Sequence, residues 1–171
     1  MKPAAPTKKR WAAIRLFAMD VDGVLTDGSI YVAGDGTESK RFSVLDGLGL
    51  VRLQRLGIVT AWISGRPSDA TLSRATELAV AHVVLGRSDK LAAVMELAAS
   101  HGYSSSEVCY MGDDDIDATA IEWAGIGATV PGAMPSARAA ADYVSRRKGG
   151  CGAVRDVCDR IISARGAEGS R

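Results

Sequence analysis

Cysteine is scarce. Cys109, Cys151 and Cys158 are the only three in 171 residues. Their odd number and the lack of a CxxC pair argue against a disulfide framework or a zinc site, and a reducing cytosol is expected. An excess of one charge is also missing, since 21 Lys plus Arg against 20 Asp plus Glu gives a net +1. Binding of bulk nucleic acid or of acidic membranes needs a strong basic field, so neither is expected. No window approaches the roughly 20 apolar residues that span a bilayer. The basic start lacks the apolar run of a secretory signal, because Arg15 and Asp20 interrupt it. Internal repeats, low-complexity tracts and interdomain linkers are absent as well. With 47% apolar and 24% charged residues the chain can build a real core, which excludes long disorder. The expectation is one cytoplasmic domain over 15–165, preceded by a disordered leader (1–14) and followed by a loose tail (166–171).

Short apolar runs alternate with helical patterns. Strands are expected at Leu16–Met19, Ile58–Ile63, His82–Leu85, Val108–Met111 and Ile126–Val130, with a weaker one at Tyr143–Val144. Leu91, Val94, Met95 and Ala98 mark one amphipathic helix, and Val154, Val157, Cys158 and Ile161 another. This alternation predicts an α/β fold: a doubly wound, Rossmann-like parallel sheet with helices on both faces and its ligand site at the carboxyl ends of the strands. Ser29–Val44 departs from it. Asp35-Gly36 between β-branched and aromatic residues predicts a protruding β-hairpin over 29–44. Its apolar face would be Ile30, Val32, Phe42 and Val44, with Tyr31 and Lys40 facing away.

The chemistry-bearing residues follow the strands. Asp20 and Asp22 leave the first strand at i and i+2, so they can converge, and two carboxylates so close call for a cation or a shared proton. Ser64, in Ser64-Gly65-Arg66, offers a hydroxyl and free N–H groups suited to phosphate. Lys90, at a helix start after Ser88, is a compact cation for a transferring phosphoryl group. Gly112-Asp113-Asp114-Asp115-Ile116-Asp117 places four acids within five positions, a set suited to Mg²⁺. Taken singly, each has an ordinary explanation: a surface lysine, a solvated loop, a charge favoured by a helix N-terminus as for Asp115. His82 and His101 read as structural, and Cys109 as a small core residue. The order DxD, Ser, Lys, GDDxxD, each at a strand end or helix start, is what coincidence does not supply.

That ordered set resembles the haloacid dehalogenase superfamily over Leu16–Ile162. DVDGVLTDGSIY, the hairpin with Lys40 and Phe42, Asp46-Gly47-Leu48-Gly49, and Gly149–Arg155 resemble more narrowly its capless branch, the 3-deoxy-D-manno-octulosonate 8-phosphate phosphatases. The resemblance implies Mg²⁺-dependent hydrolysis of a sugar-acid phosphate monoester, in lipopolysaccharide biosynthesis if the acid is the eight-carbon one. Asp20 would be the nucleophile and Asp22 the acid and base. Asp20, the Asp22 carbonyl and Asp113 would hold the metal, with Asp114 or Asp117 behind them. Ser64 and Lys90 would take the phosphate oxygens. Ser43, Val44, Leu45, Asp46, Gly47, Arg66 and Arg74, together with Asp22 and Lys90, would meet the substrate. Val51 stands where many relatives carry a basic residue.

Alternatives stay open: a phosphatase for another keto-sugar acid phosphate of the nonulosonate 9-phosphate type, a phosphoryl transfer to a sugar acceptor, or a non-catalytic oligomerisation module. Intervals of 44, 26 and 23 residues between Asp20, Ser64, Lys90 and Asp113 leave no room for a lid. The resemblance further implies a homotetramer built on the hairpins, with Gly149–Arg155 reaching towards a neighbour's site.

Overall fold

A computed structural model describes residues 5–166. Six strands form one wholly parallel sheet: β1 (Leu16–Met19), β4 (Val59–Ile63), β5 (His82–Val84), β6 (Val108–Met111), β7 (Ile126–Thr129) and β8 (Tyr143–Val144). Their order is β5-β4-β1-β6-β7-β8, so β1 is central, with Leu16 in register with Val59 on one side and Val108 on the other. A central strand has no wet face, and β1 and β6 are buried throughout. The strand expectations hold to within a residue at each end.

The helices are α1 (Lys8–Ala13), α2 (Val44–Arg55), α3 (Asp69–Glu77), α4 (Lys90–Ser100), α5 (Ala118–Trp123), α6 (Pro135–Ala140) and α7 (Ala153–Ala164). α7 packs against α1 and α2, while α5 packs against α4 and α6. In α7, Val154, Val157, Cys158 and Ile161 are buried on one stripe as the spacing predicts. Cys109 lies in the core of β6. No helix among the described residues is long and apolar enough to cross a membrane.

Two expectations need correction. Residues 8–13 are not a disordered leader: Thr7 caps α1 by accepting from the Arg10 N–H. Trp11 is buried edge-on to Tyr143 at 5.4 Å, and Arg10 bonds the Gly125 carbonyl and Asp142, which fixes the helix to the domain. Residues 1–4 and 167–171 of the expected leader and tail lie outside the described residues.

The hairpin is also shorter than 29–44. Only β2 (Tyr31–Val32) and β3 (Glu38–Ser39) form its ladder. Phe42 leaves it to stack on Trp62 of β4, 6.0 Å between ring centroids and 11° apart in plane. Ser43 then caps α2 by accepting from the Leu45 N–H, and Val44 becomes a helical residue. The anticipated face of Ile30, Val32, Phe42 and Val44 is therefore not one surface.

Candidate active site

The site forms where β1, β4 and β6 end. β1 delivers Asp20, whose N–H still pairs with Met111 of β6. Asp20 Oδ1 accepts from the Val21 N–H at 2.7 Å and from Lys90 Nζ at 2.6 Å. Lys90, the first residue of α4, runs back into the core with no exposed side-chain surface. Its ammonium also donates to the Ile63 carbonyl at 2.5 Å and stands 3.8 Å from Asp117 Oδ1. Asp117 is fully buried. It accepts from Tyr110 Oη at 2.7 Å and from the N–H groups of Asp113 and Asp114 at 3.1 and 3.2 Å. It therefore folds the acidic loop around itself and supplies the second anion that a buried lysine needs.

Asp20, Asp113 and Asp117 each place a carboxylate oxygen within 4.8 Å of the others. Burial pushes Asp20 up to about 6, helped by the charge of Asp117 and opposed by Lys90. Burial pushes Asp113 up to about 7, with Asp20 and Asp117 adding repulsion. Asp113 Oδ1 is buried without a hydrogen-bond partner. Carboxylates that are crowded and partly orphaned in this way are a donor set for a hard divalent cation. The donors fit Mg²⁺.

Beside this group, β4 delivers Ser64, whose Oγ accepts from the Arg66 N–H at 3.1 Å. Its hydroxyl proton stays available to an anion. Asp22 is met by a residue that the sequence argument turned outward. Lys40 has no exposed side-chain surface, and its Nζ stands 2.8 Å from Asp22 Oδ1 and 3.6 Å from Glu38 Oε1. Its burial was hidden because hairpin alternation alone does not reveal that α3 closes over it.

Other sequence-predicted residues divide. Asp46, expected beside the substrate, faces its own chain here: its oxygens accept from the N–H groups of Gly152 at 3.2 Å and Arg155 at 2.8 Å. It is 1% exposed and holds the start of α7, because those amides have no helical partner of their own. Asp114 is exposed and accepts from the Asp115 N–H, so of the two candidates behind the metal only Asp117 approaches Lys90. Arg74 pairs with Glu77 at 2.6 Å and passes over Gly47, where a Cβ would lie 2.7 Å from its guanidinium. Arg66 is half exposed and pairs with Glu38 at 2.8 Å. Ser43, Val44 and Leu45 form the first turn of α2, with Val44 exposed. Arg52, next to Val51, turns to Asp159 of α7. Gly149 and Gly150 press on their own chain: a Cβ at Gly149 would lie 1.8 Å from the Gly23 carbonyl oxygen.

Residues 75–155 match the haloacid dehalogenase-like hydrolases. A 3-deoxy-D-manno-octulosonate 8-phosphate phosphatase of Yersinia pestis is 44% identical over 156 residues, covering 91% of this chain and 83% of that protein. Among solved structures, the Moraxella catarrhalis phosphatase of the same name, in complex with magnesium, phosphate and KDO, superposes with a TM-score of 0.91 at 44% identity, covering 93% of this chain and 91% of that one. The cobalt-bound form of the Haemophilus influenzae phosphatase gives a TM-score of 0.88 at 34% identity, covering 92% of each. The chain belongs to the 3-deoxy-D-manno-octulosonate 8-phosphate phosphatase family of haloacid dehalogenase-like hydrolases.

Proposed function

We propose that this chain hydrolyses 3-deoxy-D-manno-octulosonate 8-phosphate to the free acid and phosphate, in the cytoplasm, as a step of lipopolysaccharide precursor synthesis. The observation that carries the reading is the buried Asp20–Lys90–Asp117 line with the orphaned Asp113 oxygen beside it.

Asp20, the Asp22 carbonyl and Asp113 would hold Mg²⁺, which when bound neutralises charge on the transferring phosphoryl group. The Asp20 carboxylate attacks phosphorus, and its new bond forms as the bond from phosphorus to the sugar oxygen breaks. Asp22 gives that oxygen its proton. Asp22, now a carboxylate, takes a proton from water as the water oxygen attacks phosphorus, and the Asp20–phosphate bond breaks. Both aspartates return to their starting states. Ser64 and Lys90 donate to the non-reacting oxygens, and Lys90 keeps Asp20 aligned meanwhile. Arg66, Arg74, Ser43–Leu45 and Gly47 border the sugar acid, where a guanidinium can pair with its carboxylate.

Phosphate release from a panel of sugar-acid phosphates, with and without EDTA, tests this. Highest kcat/KM for the eight-carbon ester, abolished by EDTA and restored by Mg²⁺, is expected. Preference for a nine-carbon ester would reassign the substrate, and EDTA-insensitive turnover would sink the metal role.

A homotetramer completes the proposal. Tyr31, Val32, Val44, Leu45 and Leu48, all 41–76% exposed, are gathered on the hairpin and the start of α2, and burying them against copies supports a closed assembly.

A further inference from the structure

Lys40 takes no part in the reaction as described, yet its side chain, like that of Lys90, has no exposed surface. A buried ammonium is costly unless anions face it. Two do. Asp22 Oδ1 lies 2.8 Å away and Glu38 Oε1 3.6 Å away, and Lys40 donates to Thr71 Oγ1 at 3.4 Å. Glu38 is itself held, accepting from Arg66 Nη2 and from Ser68 Oγ, both at 2.8 Å. Ser68 caps α3 and Thr71 is a buried residue within it. The hairpin is thus fastened to α3 by a chain of charges that ends on Asp22.

Asp22 has little else to fix it. Its Oδ1 is buried and accepts no aligned hydrogen bond, so the contact with Lys40 is an ion pair without a directed N–H. A free carboxylate at the edge of an acidic cluster would swing away from Asp20, Asp113 and Asp117. We propose that Lys40 is a positioning residue for Asp22, fixing Oδ1 so that proton exchange with the leaving oxygen and with water falls to Oδ2. The hairpin then belongs to the catalytic apparatus through Lys40 and Glu38. The inference rests on the acid–base role of Asp22 given above.

The test compares substrates that differ in their need for a proton. The sugar-acid phosphate expels an alkoxide and needs Asp22 in both steps, whereas 4-nitrophenyl phosphate expels a stable phenolate and needs it only for hydrolysis of the aspartyl phosphate. In Lys40→Met, kcat for the sugar-acid phosphate should fall about 100-fold while KM moves less than about threefold. With 4-nitrophenyl phosphate, rapid mixing should show a fast burst of nitrophenolate near one per active site, followed by slow turnover with acid-stable phosphoenzyme. Glu38→Gln should repeat the pattern at about a tenth of wild-type kcat, and it decides the matter if Lys40→Met does not melt cooperatively. An equal fall in burst and turnover, or a rise in KM at unchanged kcat, would overturn the proposal by making Lys40 a support for the fold or for substrate. Asp22→Asn is the control. If it shows the burst and the lysine variant does not, the Lys40 proposal alone fails. If Asp22→Asn shows no burst, the acid–base reading fails and the Lys40 proposal with it.

Discussion

Asp113 occupies the space that a side chain at Gly23 would need. A Cβ built on Gly23 would lie 2.0 Å from Asp113 Oδ2, and Gly23 also sits at φ +89. The loop after β1 and the loop after β6 therefore interlock where only a hydrogen fits. Gly23→Ala should cost about 1–2 kcal/mol through its backbone alone. It should also displace Asp113 and raise the Mg²⁺ concentration for half-activation about tenfold or more. Coincident Mg²⁺ activation curves for variant and wild type would show that Asp113 is not a ligand.

The pH dependence of stability follows from the crowded acids. Asp20 at about 6 and Asp113 at about 7 both lie above their ordinary values, so the metal-free folded state binds more protons than the unfolded chain. Their stabilising contribution is present below about pH 4 and is lost as pH rises through about 6 to 7. Denaturant titrations in EDTA should show it falling over that window and levelling off above it. Asp113→Asn should remove the upper part of the fall. A wild-type minus variant difference independent of pH would contradict the account.

The Asp20–Lys90 pair separates chemistry from stability. Asp20→Asn should retain the fold and abolish turnover, since an amide does not attack phosphorus. Steady phosphate release by the pure variant would refute covalent catalysis. Lys90→Met leaves Asp20 and Asp117 facing each other in the core without their cation, and should destabilise by about 3 kcal/mol or more. Chemical denaturation of both variants checks the contrast.

Asp46 should report on α7 rather than on substrate. Asp46→Ala removes the acceptor for the Gly152 and Arg155 amides and should cost about 1–2 kcal/mol. Hydrogen exchange at those two amides should accelerate before any change in KM. A raised KM with unchanged exchange would instead support a substrate contact.

The tetramer can be tested on residues that the structure leaves bare. Val32 is 68% exposed and Leu48 51% exposed. Val32→Glu combined with Leu48→Lys should give monomers with intact helical signal and much lower activity. Light scattering that finds wild type already monomeric at assay concentration would rule the assembly out.

What the sequence disclosed follows from burial and spacing. β1 and β6 are apolar end to end because both faces are covered; Asp20 and Ser64 were legible because each directly follows a buried strand, and Asp113 because it comes one glycine after β6. Lys90 was legible from its place at a helix start. What stayed hidden is long-range. Asp46 caps amides 106 and 109 residues away, and no local pattern announces that. Phe42 obeys Trp62 rather than hairpin alternation. Lys40 is buried only because α3 and Glu38 surround it, and α1 exists because Trp11 finds Tyr143.

Gly149 and Gly150 press on Gly23, Thr26 and Asp27, and the Gly150 N–H bonds the Val24 carbonyl. During synthesis Asp20 emerges 129 residues before Gly149, the start of the backbone that braces its loop. Over that interval the nascent chain carries Asp20 in a loop without its brace. Catalytic competence should then arrive in one late step, when α7 docks. A stalled chain ending before Gly149 would own Asp20, Asp22, Ser64, Lys90 and the acidic loop and still lack an ordered site.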